Sequence, residues 1–138
     1  MVLTDEEIYE GFSRKKIEQY NKEVDEMFGP GTFKATREHI RKLSKEQWQD
    51  VKKEGEAINF EMAESMNLPP ESPEVQKLIK RHHTWIKNFW MPNAESYKGL
   101  GRGYVVNPEF REFYDKYKAG LADFFCAAME YYADKELQ

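Results

Sequence analysis

Residues 44–70 read SKEQWQDVKKEGEAINFEMAESMNLPP, and this stretch decides the fold. Ser44 and Gln47 stand three apart, the spacing of a capping box that opens a helix. Behind it Trp48, Val51, Gly55, Ile58, Met62 and Met66 recur every three or four residues. That is one apolar stripe along about five helical turns, with charge on the opposite face. Leu68-Pro69-Pro70 closes it, because proline cannot continue the backbone ladder.

Downstream the same punctuation repeats. Ser72-Pro73 is an N-cap followed by proline at the first helical position. From there Val75, Leu78, Ile79, His82, Trp85, Ile86, Phe89 and Trp90 form a broad apolar face, predicting a helix that runs until Pro92 stops it. Asn93 caps a stretch carrying Tyr97, Leu100 and Tyr104 on one face. Gly99, Gly101 and Gly103 lower its intrinsic helicity by roughly 1 kcal/mol each relative to alanine. Asn107-Pro108 repeats the cap-then-proline signal ahead of Phe110, Phe113, Tyr114 and Tyr117. Gly120 separates a last helix with Leu121, Phe124, Phe125, Ala128 and Tyr132.

Upstream, a short helix over Phe33–Leu43 turns Ile40 and Leu43 inward, and Gly29-Pro30-Gly31 breaks the chain before it. Ile17, Tyr20, Val24, Met27 and Phe28 keep helical spacing behind a cap at Ser13. Thr4-x-x-Glu7 is a further capping box, opening a helix to about Phe12. The sequence contains no convincing strand, repeat or low-complexity linker. The expected fold is all-α: about seven short helices in a globin-like, obliquely crossed packing, forming a single domain over residues 1–138.

Composition agrees. The 138 residues are 40% hydrophobic and 33% charged, with a formal net charge of −4. That is enough apolar material for one core. The charge is spread evenly, without the basic stripe of a free-standing nucleic-acid binder. Cys126 is the only cysteine, so no intrachain disulfide forms. No secretory signal opens the sequence and no run approaches the roughly 20 apolar residues of a membrane span. A soluble, cytoplasmic protein is expected.

Catalytic chemistry finds little footing. His82 and His83 are adjacent, so on a helix they point about 100° apart and do not share a metal easily. The expectation is one semi-buried and one solvated histidine, no metal site and no cofactor. Gly99-Leu-Gly101-Arg-Gly103 lacks the preceding strand and the spacing of a dinucleotide loop, and its glycines serve close approach of a helix or a ligand. Glu109, Glu112 and Asp115 beside Arg111 and Lys116 read as surface pairing. Cys126, between Phe125 and Ala127, reads as a small buried hydrophobe rather than a nucleophile. No enzyme is expected.

What stands out is aromatic. Of the twenty aromatic residues, thirteen lie between Trp85 and Tyr132. Tyrosine and tryptophan bring a polar tip to an apolar body. Such rings fill a core, or wall a groove for a flat, partly polar ligand.

The run His82-His83-Thr84-Trp85-Ile86-Lys87-Asn88-Phe89-Trp90 is followed by Leu100-Gly101-x-x-Tyr104-Val105, by Asn107-Pro108-x-Phe110-x-x-x-Tyr114 and by Gly120-Leu121-Ala122-x-Phe124. Upstream, Glu7-Ile8-Tyr9-Glu10-Gly11-Phe12 and Tyr20-x-x-Glu23-Val24 fit the same pattern. Together these resemble the TipAS-type antibiotic-recognition domain, the drug-binding half of a branch of MerR-family transcriptional regulators. The resemblance implies a globin-like helical fold with a deep cleft for lipophilic antibiotics. It also implies DNA contact only through an N-terminal winged-helix domain, and homodimerisation through a coiled coil, both absent from this chain. No membrane partner is implied. Where thiopeptide-binding members carry a ligand-trapping cysteine, just before the Leu-Gly of the central motif, this sequence has Lys98-Gly99, so reversible binding is expected. Asn107 and Glu109 stand where the family carries an acidic residue and an arginine; Asn107 still caps a helix.

The expected ligand-binding residues are His82, Trp85, Phe89, Trp90, Tyr97, Tyr104, Phe110, Tyr114, Tyr117 and Phe125. Two other readings are a helical interaction or structural domain with a solid aromatic core, and a drug-modifying enzyme. The N-terminal third, more polar and rich in glycine around Pro30, is expected to be less stable and to order over the cleft when ligand binds.

Overall fold

The computed structural model describes residues 18, 19, 21, 22, 24–26 and 30–137. The capping box at Thr4, the cap at Ser13 and the apolar positions Ile17, Tyr20, Met27 and Phe28 lie outside the described residues, as does much of the N-terminal third expected to order over a ligand. The described residues between 18 and 26 are helical. After them come six helices: α1 (Thr32–Arg41), α2 (Lys45–Glu64), α3 (Pro73–Ile86), α4 (Ala94–Val106), α5 (Pro108–Asp115) and α6 (Leu121–Glu136). No strand occurs among the described residues, so the expected all-α class holds.

Local chemistry sets the helix starts. The Gln47 N–H donates to Ser44 Oγ at 3.0 Å and the Ser44 N–H to Gln47 Oε1 at 2.9 Å, a reciprocal capping box that satisfies two donors. Ser72 accepts from the Val75 N–H, with Pro73 at the first turn. Asn93 and Ser96 form a second reciprocal box, at 2.8 and 2.9 Å. Asn107 Oδ1 accepts from the N–H groups of Glu109 and Phe110, so the cap survives the Asn107 substitution in the family pattern. Gly31 and Gly120 precede α1 and α6 with φ of 85° and 90°, a left-handed conformation that a side chain resists.

The chain divides into two compact units. One comprises the residues up to Lys52 with Asn88–Trp90; the other comprises Lys53–Lys87 with Met91–Gln138. In the first, Ile40 is buried and packs with Leu43, Trp48 and Phe89. Trp48 meets Phe89 edge to face, centroids 6.5 Å apart, and Lys52 Nζ lies 5.8 Å from the centre of the Trp48 ring.

In the second unit α4 packs chiefly on α6, with α3 and α5 also against α6. A Cβ on Gly101 would come 3.3 Å from Cys126 Cα, so glycine there permits close approach of α4 and α6. Gly99, one position pair earlier, faces open space. Arg81 on α3 ties to α2 by donating to Glu54 and Glu61, each at 2.7 Å.

The largest boundary difference from the sequence reading is at the end of α3. Helix α3 ends at Ile86, not at Pro92. The Lys87 N–H bonds to the carbonyls of both His83 and Thr84, tightening the last turn, and residues 87–89 form a turn. Phe89 thus leaves the apolar face of α3 and packs on Trp48 instead.

Candidate functional site: a histidine held between tyrosines

Helix α3 carries His82 into the centre of the second unit, where 2% of its surface is exposed. Its Nδ1 lies 2.7 Å from Tyr97 Oη and its Nε2 3.1 Å from Tyr104 Oη, both tyrosines on α4. A neutral imidazole has one donor and one acceptor nitrogen. Each ring nitrogen therefore has a hydroxyl partner, one nitrogen donating to a tyrosine oxygen and the other accepting from a tyrosine hydroxyl. Tyr104 in turn bonds to the Tyr114 hydroxyl on α5, ring centroids 4.3 Å apart.

Burial dominates the electrostatics. It lowers the His82 pKa to about 3, with His83 adding a smaller push in the same direction. The imidazole is therefore neutral throughout the physiological range. Burial raises Tyr97, Tyr104 and Tyr114 above the ordinary tyrosine value, so these hydroxyls stay protonated. The site orients hydroxyl dipoles and presents aromatic surface; it holds no acid–base pair poised near neutrality.

Phe125 of α6 closes the cluster, its ring 5.1 Å from His82, 5.8 Å from Tyr104 and 5.3 Å from Tyr114. Phe110 meets Tyr104 at 6.3 Å. Trp85 stacks obliquely on His82 at 5.9 Å and lies so close over Gly55 that a Cβ there would be 2.7 Å from its ring. Gly55 is therefore a seat for the indole rather than a gap in the α2 stripe. Of the ten expected ligand residues, the structure brings together His82, Trp85, Tyr97, Tyr104, Phe110, Tyr114 and Phe125. Tyr117 joins at the margin, 5.9 Å from Phe113, which itself meets Tyr114. Phe89 and Trp90 belong to the other unit.

The expectation of one solvated histidine at 82–83 does not hold. His83 is also buried, 7% exposed, because its ring packs between Tyr97 and Tyr132. Burial lowers its pKa, and Lys87 adds to the shift. Cys126 is half-buried and donates to Glu130, and burial followed by Glu130 raises its thiol pKa to about 11. It is a thiol, not a thiolate nucleophile, at neutral pH. Among the described residues no group of three or more His, Cys, Asp or Glu side chains could hold a metal. None of their helices is long and apolar enough to cross a membrane. Phe60, on the charged face of α2, escaped the sequence reading; it meets Tyr117 edge to face at 5.0 Å.

The profile of the TipAS antibiotic-recognition domain matches residues 20–132. The chain belongs to the TipAS family. Its relatives include the HTH-type transcriptional regulator SkgA of Caulobacter vibrioides, 28% identical over 95% of this chain and 54% of its own. The HTH-type transcriptional activator mta of Bacillus subtilis is 24% identical, over 94% and 52%. The HTH-type transcriptional activator TipA of Streptomyces coelicolor is 28% identical, over 87% and 49%. This TipAS-family chain thus spans about half the length of those regulators. Among solved structures it is similar to TipAS from Streptomyces lividans in complex with nosiheptide, from a thiopeptide antibiotic multidrug resistance system. There the TM-score is 0.77 at 26% identity, covering 99% of this chain and 98% of that one.

Proposed function

We propose that this TipAS-family chain is a single ligand-recognition domain that reversibly binds lipophilic antibiotics or similar drugs. It is the effector part of a cytoplasmic MerR-family regulator, or a module that sequesters the drug. The observation that carries this reading is the neutral His82–Tyr97–Tyr104–Tyr114 ring cluster inside a domain whose solved neighbour holds a thiopeptide antibiotic. The relatives' names support a regulatory role, with DNA contact and dimerisation through an N-terminal part of the full-length regulator as part of the same reading.

Within the second unit, Trp85, Phe110 and Tyr117 are only partly covered and supply contact surface. His82, Tyr97, Tyr104, Tyr114 and Phe125 form the rigid backing that keeps those rings in place. Phe89 and Trp90 are further contact candidates within their own unit. Affinity comes from apolar burial at about 25 cal/mol per Å². Reversibility follows from the protonated Cys126 thiol and from Lys98-Gly99 at the family's trapping position. No catalytic role is assigned to any residue.

Titration with a panel of hydrophobic antibiotics, followed by tryptophan fluorescence, tests the reading. Quenching at micromolar ligand that shrinks in Trp85→Phe is the expected result; a panel without any quenching overturns it. A second reading, a helical interaction domain with a solid aromatic core, draws on Tyr97 and Phe125, whose side chains have no exposed surface. That reading predicts no thermal stabilisation by any compound in the panel.

A further inference from the structure

Among the rings of the second unit outside the buried cluster, Tyr117 touches both Phe60 and Phe113. Phe60 on α2 is 58% exposed and Phe113 on α5 is 51% exposed, with half-buried Tyr117 between them. Tyr117 meets Phe60 at 5.0 Å with planes 83° apart, and Phe113 at 5.9 Å with planes 74° apart. Steep angles between neighbouring rings give walls facing different directions, not a flat platform. Two half-exposed phenylalanines that touch one partner form a patch, and a patch calls for an occupant where a lone exposed ring does not.

The charge around the rings selects the occupant. Glu56 and Glu64 stand one turn either side of Phe60, both exposed, and Glu109 stands one turn before Phe113. Lys116 and Lys118 flank Tyr117 in sequence, with Lys116 paired to Glu112 at 3.6 Å, and Arg111, two residues before Phe113, pairs with Asp123 at 2.9 Å. Ring faces attract cations through their quadrupole. This chain uses that attraction elsewhere, with Lys52 over Trp48 and Lys135 over Tyr131. Among the described residues no lysine or arginine stands over Phe60, Phe113 or Tyr117, so their outer faces are left for a cation from outside.

We infer that Phe60, Tyr117 and Phe113 form a surface subsite for an organic cation of the quaternary ammonium class, with Glu56 and Glu64 supplying the attracting field. The subsite rests on the proposed ligand-binding role only in sharing Tyr117. A quaternary ammonium suits it because a weakly hydrated, non-hydrogen-bonding cation loses little on leaving water for ring faces.

The test is an NMR titration of the protein with choline, read on the ring protons of Phe60, Phe113 and Tyr117. A parallel titration uses 3,3-dimethylbutan-1-ol, the uncharged carbon analogue. Choline is expected to shift all three rings and to bind several-fold more tightly than the alcohol. Phe60→Leu and Phe113→Leu, which keep apolar bulk but remove the ring, are expected to weaken choline binding by about two- to fivefold each. Their melting curves should match the parent. Three results overturn the subsite: no shift with choline, equal binding of the uncharged analogue, or unchanged choline affinity in both leucine variants. Shifts that track protein concentration instead of choline also overturn it and assign the patch to a second copy of the chain. No antibiotic enters this titration, so its failure is separate from an empty drug panel.

Discussion

The inner and outer rings of the second unit meet at Tyr114 yet live in opposite environments. Tyr97 and Phe125 have no exposed surface, and His82 has both ring nitrogens bonded. Phe60 and Phe113 leave half or more of their surface in water. Burial of a ring contributes about 1.5–3 kcal/mol, so the inner set stabilises the fold while the outer set contributes a fraction of that. The hydroxyl–imidazole bonds also fix how α3 and α4 are registered, and the Tyr104–Tyr114 bond extends this to α5, since a buried polar group left unpaired costs roughly 1–3 kcal/mol. The difference teaches that aromatic content alone does not mark a binding surface. Rings whose polar tips are satisfied inside belong to the scaffold, and rings left open are available to a partner.

The strongest way to break this division is Phe125→Ala. It should destabilise the protein by about 3–5 kcal/mol in urea unfolding, because three neighbouring rings lose their shared contact. A loss below about 1 kcal/mol would mean that the inner cluster is loosely packed.

Acid probes the same centre. The unfolded chain protonates His82 near pH 6.5, while the folded chain resists until about pH 3. The unfolded state therefore binds more protons in that window, and stability falls as pH drops through it, by about 1.4 kcal/mol per unit from this one group. Above about pH 6.5 the contribution is level. Carboxylates titrate in the same range, so the decisive quantity is the difference in slope between the parent and His82→Gln. Coincident slopes would show that the imidazole is not held neutral.

A smaller effect separates two glycines of α4. Gly99→Ala faces open space and should stabilise by about 0.5–1 kcal/mol through helix propensity. Gly101→Ala meets Cys126 Cα, main-chain material that cannot swing aside, and should lose that gain or destabilise. Thermal melts of the pair decide it; equal stabilisation would mean that α4 and α6 separate easily. Smallest of all is Phe60→Ala, expected to stay within about 0.5 kcal/mol of the parent in urea. A cost like that of Phe125→Ala would move Phe60 into the scaffold.

Much of this architecture is legible in the chain. Ser44 with Gln47, Ser72, Asn93 and Asn107 announce their helices because capping is local chemistry within three residues. The end of α3 is not legible, since the apolar pattern runs on through Phe89 and Trp90 while a contact with distant Trp48 claims Phe89. The aromatic weight of the C-terminal half is visible, but the pairing of His82 with hydroxyls 15 and 22 residues away is not. Gly99 and Gly101 look alike until α6 is placed against one of them. Phe60 is hidden for the opposite reason: it sits off the apolar stripe, where a sequence reading expects only solvated side chains.

The sealed hydroxyls of Tyr97 and Tyr104 have a spectroscopic consequence. A phenolic proton in water exchanges too fast to be seen, whereas one held in a dry hydrogen bond leaves only when its surroundings open. Both should therefore give discrete downfield resonances, with lifetimes that time the breathing of this unit without any label. A drug that braces the surrounding helices would lengthen those lifetimes even if it touched neither tyrosine.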